Sequence, residues 1–281
     1  MSVSSFIPKI WDARLLENLN NELVYANLCN RDYEGDIKDM GDTVHINSIG
    51  HVTVKKYTKN TDIDAPEDLS SSDQTLLIDQ MDYFNFSIDD VDKAQISGDA
   101  VDKSMADSAQ GLAENADKYV ASLLKAGTAK VGTDTTPIVI TKDNAYDQLV
   151  DLSTALDKAK CPKQGRWVVV DPQFYGFLLK DERFIHATQA GDNVVASASV
   201  GRGAGFTIYE SNNVPNTSST KFKIIASTSM SATYADQISK TEAFRPDNGF
   251  KDAIKGLHVY GAKVIRPEII GVLTCNYTAA A

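Results

Sequence analysis

A mixed α+β fold is what this 281-residue chain predicts, and three observations carry the prediction. Apolar residues recur at helical spacing up to about residue 30, then switch to strict alternation from Gly41 onward. A second, longer helical stripe follows over 99–126. Beyond it, the continuous apolar run Arg166-Trp167-Val168-Val169-Val170 has the pattern of a buried strand within a compact α/β lobe. Hydrophobic residues make up 42% and charged residues 23%, so the chain has the composition of a folded protein and the length for a substantial core.

Each element follows from its local pattern. Trp11, Leu15, Leu19, Leu23 and Ala26 share a helical face, which predicts an amphipathic helix over 10–30. Its stripe would dock on the chain's own core or on a neighbouring copy. Alternation then predicts strands at 43–47, 52–57 and 76–88. The acidic, Ser-rich stretch NTDIDAPEDLSSSDQ (60–74) lies between the last two and reads as an exposed tip. The result is a long β-arm with little core of its own, which needs bracing from outside.

Val101, Met105, Ala109, Leu112, Ala116, Tyr119, Val120, Leu123 and Leu124 then keep to one face, with Gly127 as a stop signal. Pro137 to Ile140 is strand-like. A helix follows from Asp143 or Asn144, marked by Ala145, Leu149, Leu152 and Leu156, and Asp171-Pro172 caps another after the buried strand. Strands are expected at 206–210, 221–227, 238–244 and 257–273, with Pro267 at an edge or bulge.

The run VGRGAGFTIYESNNVP, with glycines at 201, 203 and 205, invites a phosphate-loop reading. The order is wrong for it, because a strand and not a helix follows the glycines. A mobile loop over 191–205 feeding a strand is expected instead. His45, His51, His186 and His258 form no zinc motif, and no nucleophile elbow, G-K-[ST] loop or calcium-loop pattern occurs. No catalytic, cofactor or metal residues are therefore expected. The formal charge of -10 argues against a broad nucleic-acid grip. Cys29, Cys161 and Cys275 are odd in number and far apart, which fits a reducing compartment. No signal peptide and no membrane partner are expected.

The order of parts, together with GDTVHI, FNFSIDDVDKAQ, RWVVVDPQFYGFLL, GRGAGFTIYESNNVP and GLHVYGAKVIRPEIIGVL, resembles the major capsid (coat) protein of tailed phages, the Hong Kong 97 fold. The resemblance implies an N-arm over 1–40, an extended β-hairpin E-loop over 41–90, a spine helix and P-domain over 91–142, an α/β A-domain over 143–229, and P-domain return strands over 230–281. It implies a non-enzymatic function: hexamers and pentamers that assemble into an icosahedral shell enclosing double-stranded DNA. It further implies a virion location after synthesis in host cytoplasm, with a portal as partner. Without a long N-terminal extension, a separate scaffolding protein is implied too. Trp11, Leu15, Leu19, Val54, Lys56, Tyr57, Arg183 and Arg202 are the inter-subunit candidates. An encapsulin-like nanocompartment shell of the same fold is the alternative within the structural class. A cytoplasmic α/β enzyme using the glycine loop is the alternative outside it.

Overall fold

The computed structural model describes residues 23–33, 43–49, 56–57, 59, 62, 71–89, 100–181, 201–218, 220–246 and 251–277. Of the helix expected over 10–30, residues 10–22 lie outside this set. From Leu23 on, only α1 (Tyr25–Leu28) is helical. The helix stops there because strand pairing takes over the backbone: Asn30 N–H donates to the Ala232 carbonyl at 2.9 Å, and Tyr234 N–H donates to the Asn30 carbonyl at 2.9 Å.

The arm is also built differently from the sequence expectation. Strand β1 (Thr43–Ile49) pairs antiparallel with β2 (Ser71–Leu77), so the segment expected to be an exposed tip as far as Gln74 already contributes to a strand. Lys56 and Tyr57 have no strand structure. The single strand expected over 76–88 is interrupted at Ile78 and Asp79, after which β3 (Gln80–Asp89) joins a different sheet. A close crossing explains the interruption. At Gly261 an added Cβ would sit 2.4 Å from the Leu77 carbonyl oxygen, and Ile78 turns inward to full burial. Val44, Ile46, Leu76 and Ile78 form a small core with Ala235 and Val259, so the ribbon's root is braced by its own subunit.

Helix α2 (Ala100–Leu124) matches its expected stripe. At 1.5 Å per residue it is about 37 Å long. Met105, Ala109, Leu112, Ala116, Val120 and Leu124 are buried along it, and the small residues among them let two sheets approach closely. After α2 come β4 (Ala129–Val131) and β5 (Ile138–Ile140), then α3 (Ala145–Lys158), β6 (Trp167–Val170) and α4 (Pro172–Leu178). Asp171 caps α4 as expected, accepting from Gln173 N–H at 3.2 Å. Asn144 does not cap α3 with its side chain. Its Oδ1 accepts from Thr141 N–H at 2.8 Å and its Nδ2 donates to the Val139 carbonyl at 2.9 Å, tying β5 to the helix start.

The described end of the glycine run is a hairpin rather than a loop. Strand β7 (Arg202–Gly203) pairs antiparallel with β8 (Phe206–Glu210). The two residues between them, Ala204 and Gly205, take φ of 51° and 86°, the positive values that a tight two-residue hairpin turn requires. β9 (Asn216–Thr217) and β10 (Lys221–Ser227) follow. Two long strands come next, β11 (Ala232–Phe244) and β12 (Lys251–Val264). The last expected strand, 257–273, is two elements. Pro267 opens a 3-10 turn (Pro267–Ile269), which separates β12 from β13 (Gly271–Tyr277). Proline has no N–H for a ladder, and its carbonyl instead accepts from Thr128 N–H at 3.1 Å.

Two main sheets result, beside the β1–β2 ribbon. One runs β11-β12-β3. The other runs β4-β13-β10-β6-β8-β7, with β5 also on β13 and β9 on β10. The larger sheet therefore draws on strands before and after 143–229. Helix α2 lies between the two: Leu112, Ala116, Val120 and Leu124 share a core with Trp167, Val169 and Ile225 of the large sheet and Tyr234 and Tyr260 of the small one. A second core fills the lobe, where Leu149, Leu152 and Leu156 of α3 pack against Val168, Val170, Ile224 and Leu273.

Candidate assembly surfaces

The small sheet has two unlike faces. Along β3 the side chains alternate between half-buried and exposed without a break. Phe84 and Phe86 point toward Met105, Ala109 and Ile254. Met81 and Tyr83 point away, Tyr83 being 77% exposed, and exposed Leu77 precedes them in sequence. Met81 and Phe84, three residues apart on one strand, thus fall on opposite faces. Beside Tyr83 runs a mostly apolar groove of about 440 Å³, bordered by Phe84, Gly256 and Leu257. The ion pair Lys255–Glu242, 3.0 Å, stands at its edge.

Of the candidate inter-subunit residues, Trp11, Leu15, Leu19, Val54 and Arg183 lie outside the described residues. Lys56 and Tyr57 are exposed beyond the ribbon root, and Arg202 is exposed on the outermost strand of the large sheet. The arm pair and Arg202 therefore belong to separate elements.

Buried charges fasten the roots of both extensions. Arg31 meets Asp236 at 3.1 Å, His258 Nε2 lies 3.3 Å from the same carboxylate, and Tyr234 donates to it at 3.2 Å. Burial works to raise the Asp236 carboxyl, but hydrogen bonding with His258 and the charge of Arg31 outweigh it and hold it below the usual carboxylate range. Next to this cluster, Tyr260 donates to Asp82 at 2.9 Å and Tyr119 to Asp79 at 3.2 Å, which links β12 and α2 to the chain leaving the arm. On the other side of α2, the fully buried Asp117 accepts from Val24 N–H at 2.7 Å and Ala26 N–H at 3.2 Å. Its carboxyl is raised by burial, against the pull of those N–H groups, to about 6.

None of these carboxylates forms a metal cluster: no group of three His, Cys, Asp or Glu side chains suited to an ion occurs among the described residues. The three cysteines are unpaired and buried. No described helix is long and apolar enough to cross a membrane.

An arm rooted in a sheet, a long helix beneath it and uncovered apolar side chains on β2 and β3 define a subunit made to tile with others. The chain matches the phage capsid protein family over residues 78–272. A structure from Mycobacterium phage Che8 is 31% identical, with a TM-score of 0.71, covering 89% of this chain and 90% of that one. The capsid of Cyanophage P-SCSP1u is 18% identical, TM-score 0.64, covering 92% and 89%. A virus-like particle from Pyrococcus furiosus is 14% identical, TM-score 0.60, covering 95% and 99%. No curated protein sequence matches. The chain belongs to the phage capsid protein family, and it is a major capsid protein of the Hong Kong 97 fold.

Proposed function

We propose that this chain tiles an icosahedral shell, as hexamers and pentamers, around packaged double-stranded DNA. The observation that supports this reading is the exposure of Met81 and Tyr83 on β3 and of Leu77 at the end of β2, apolar surface that a lone subunit leaves in water. Trp11, Leu15, Leu19, Val54, Lys56, Tyr57, Arg183 and Arg202 are the proposed contacts between copies. A separate scaffolding protein and a portal are proposed partners, with synthesis and assembly in host cytoplasm. A net charge of -10 supports DNA held without tight or sequence-specific contact, since adhesion to phosphates needs a basic surface. The division into arm, E-loop, spine, lobe and return segments at 40, 90, 142 and 229 is kept as a proposal. No catalytic step is proposed.

Tyr83→Glu tests the reading, because it places a charge on this exposed surface without touching a core. The variant is expected to melt like the parent yet to form far fewer shells by negative-stain microscopy and light scattering. Shells formed as readily as by the parent would overturn the assignment of this face. Particles that contain protein cargo and no DNA would favour the nanocompartment alternative.

A further inference from the structure

We propose that Asp117 is the latch that holds residues 23–29 on α2, and that this hold varies with pH. The geometry begins with α1. A four-residue helix has orphan N–H groups in its first turn, and its own N-cap, Val24, supplies no side-chain acceptor. Asp117, projecting from the C-terminal half of α2, supplies it. One oxygen takes Val24 N–H and the other takes Ala26 N–H, with Tyr25 N–H also turned to the carboxylate. The anchored residues are themselves well seated, since Leu23, Tyr25, Ala26 and Cys29 are buried against Ala113, Ala116 and Val120.

The charge environment makes this contact conditional. No described lysine or arginine pairs with Asp117. From the anchored segment it faces Tyr25 and Cys29, and Arg31 follows them. Burial raises the Tyr25 phenol and pushes the Cys29 thiol up to about 12, so both stay neutral in the ordinary range. On α2, Glu114 and Lys118 pair with each other. Across the cleft stand Glu210 and the Ser211-Asn212-Asn213 turn. Behind Tyr25 lies Asp171, itself raised by burial and bonded to the Tyr277 hydroxyl.

A released carboxyl titrates near 3.8 and the docked one near 6. The docked form thus holds its proton more tightly, so docking is strongest below the lower value. It weakens as pH rises through the upper one, by about a hundredfold over the whole range.

The test is hydrogen exchange on the full-length chain, with each amide's rate divided by its intrinsic rate to remove the chemistry's own pH dependence. Protection of the Val24, Tyr25 and Ala26 amides is expected to fall roughly tenfold or more between about pH 4.5 and about pH 8. Val120 on α2 is expected to show no matching fall. Asp117→Asn, which keeps an acceptor and cannot ionise, is expected to abolish the pH dependence. Constant protection in the parent, an equal fall at Val120, or a fall that persists in the Asn variant would each overturn the latch. The parent's own profile decides even if the variant does not fold, and the result does not depend on shell assembly.

Discussion

Asp236 gathers Arg31 from the N-terminal segment, His258 from β12 and the Tyr234 hydroxyl from its own strand. Removing the carboxylate leaves a guanidinium and an imidazole without their shared acceptor in a buried place. Asp236→Ala is therefore expected to cost about 3 kcal/mol, read by denaturant unfolding. Because the folded carboxyl titrates below its unfolded value, its contribution is present at neutral pH and is lost as pH falls below the usual carboxylate range. A second residue-scale expectation concerns Ala204, which takes a positive φ at the first position of the β7–β8 turn. Asparagine tolerates that conformation better than alanine. Ala204→Asn is expected to stabilise by about 0.5 kcal/mol and to raise the melting temperature slightly. Neither feature could be read from the sequence. Arg31, Asp236 and His258 are far apart in the chain, and nothing in local periodicity says they meet. Asp117 was hidden for another reason, as a carboxylate on the apolar side of an otherwise regular helical stripe.

At the scale of elements, legibility followed how local the determinants are. Helix α2 was readable almost to the residue because its stripe repeats over 25 residues, and α3, β6, β8 and β10 carried equally local signals. The elements misjudged were those whose limits are set by distant contacts. The strand expected over 76–88 divides where Gly261 of β12 presses on Leu77, and the last residues of the helix expected over 10–30 yield to the pairing of Asn30 beside β11. The crossing also revises what free subunits should look like. Leu76 and Ile78 are fully buried and pin the ribbon, so the β2 amides that donate to β1 are expected to be protected before assembly as well as after it. An unprotected β2 in unassembled subunits would contradict the braced root. Leu76→Ala should lower stability by about 2–4 kcal/mol and raise exchange along both β1 and β2, showing that the ribbon depends on this packing.

For the molecule as a whole, the resemblance in the order of parts anticipated the fold and family, while the tethers between residues distant in sequence left no local signal. Concentrated subunits, with a scaffold supplied, are expected to scatter light as large closed particles; persistent monomer would argue against the assembly reading. The large sheet has one more implication. Strand β13 sits inside it, with β10 on one side and β4 and β5 on the other, so Ala129 pairs with Gly271 across nearly the whole lobe sequence. A ribosome must translate through Tyr277 before that gap can close. Until then the lobe lacks an inner strand and shows raw edges on both flanks, a state prone to wrong pairing. Truncation before Gly271 is therefore expected to leave β10 and β4 without the strand that joins them.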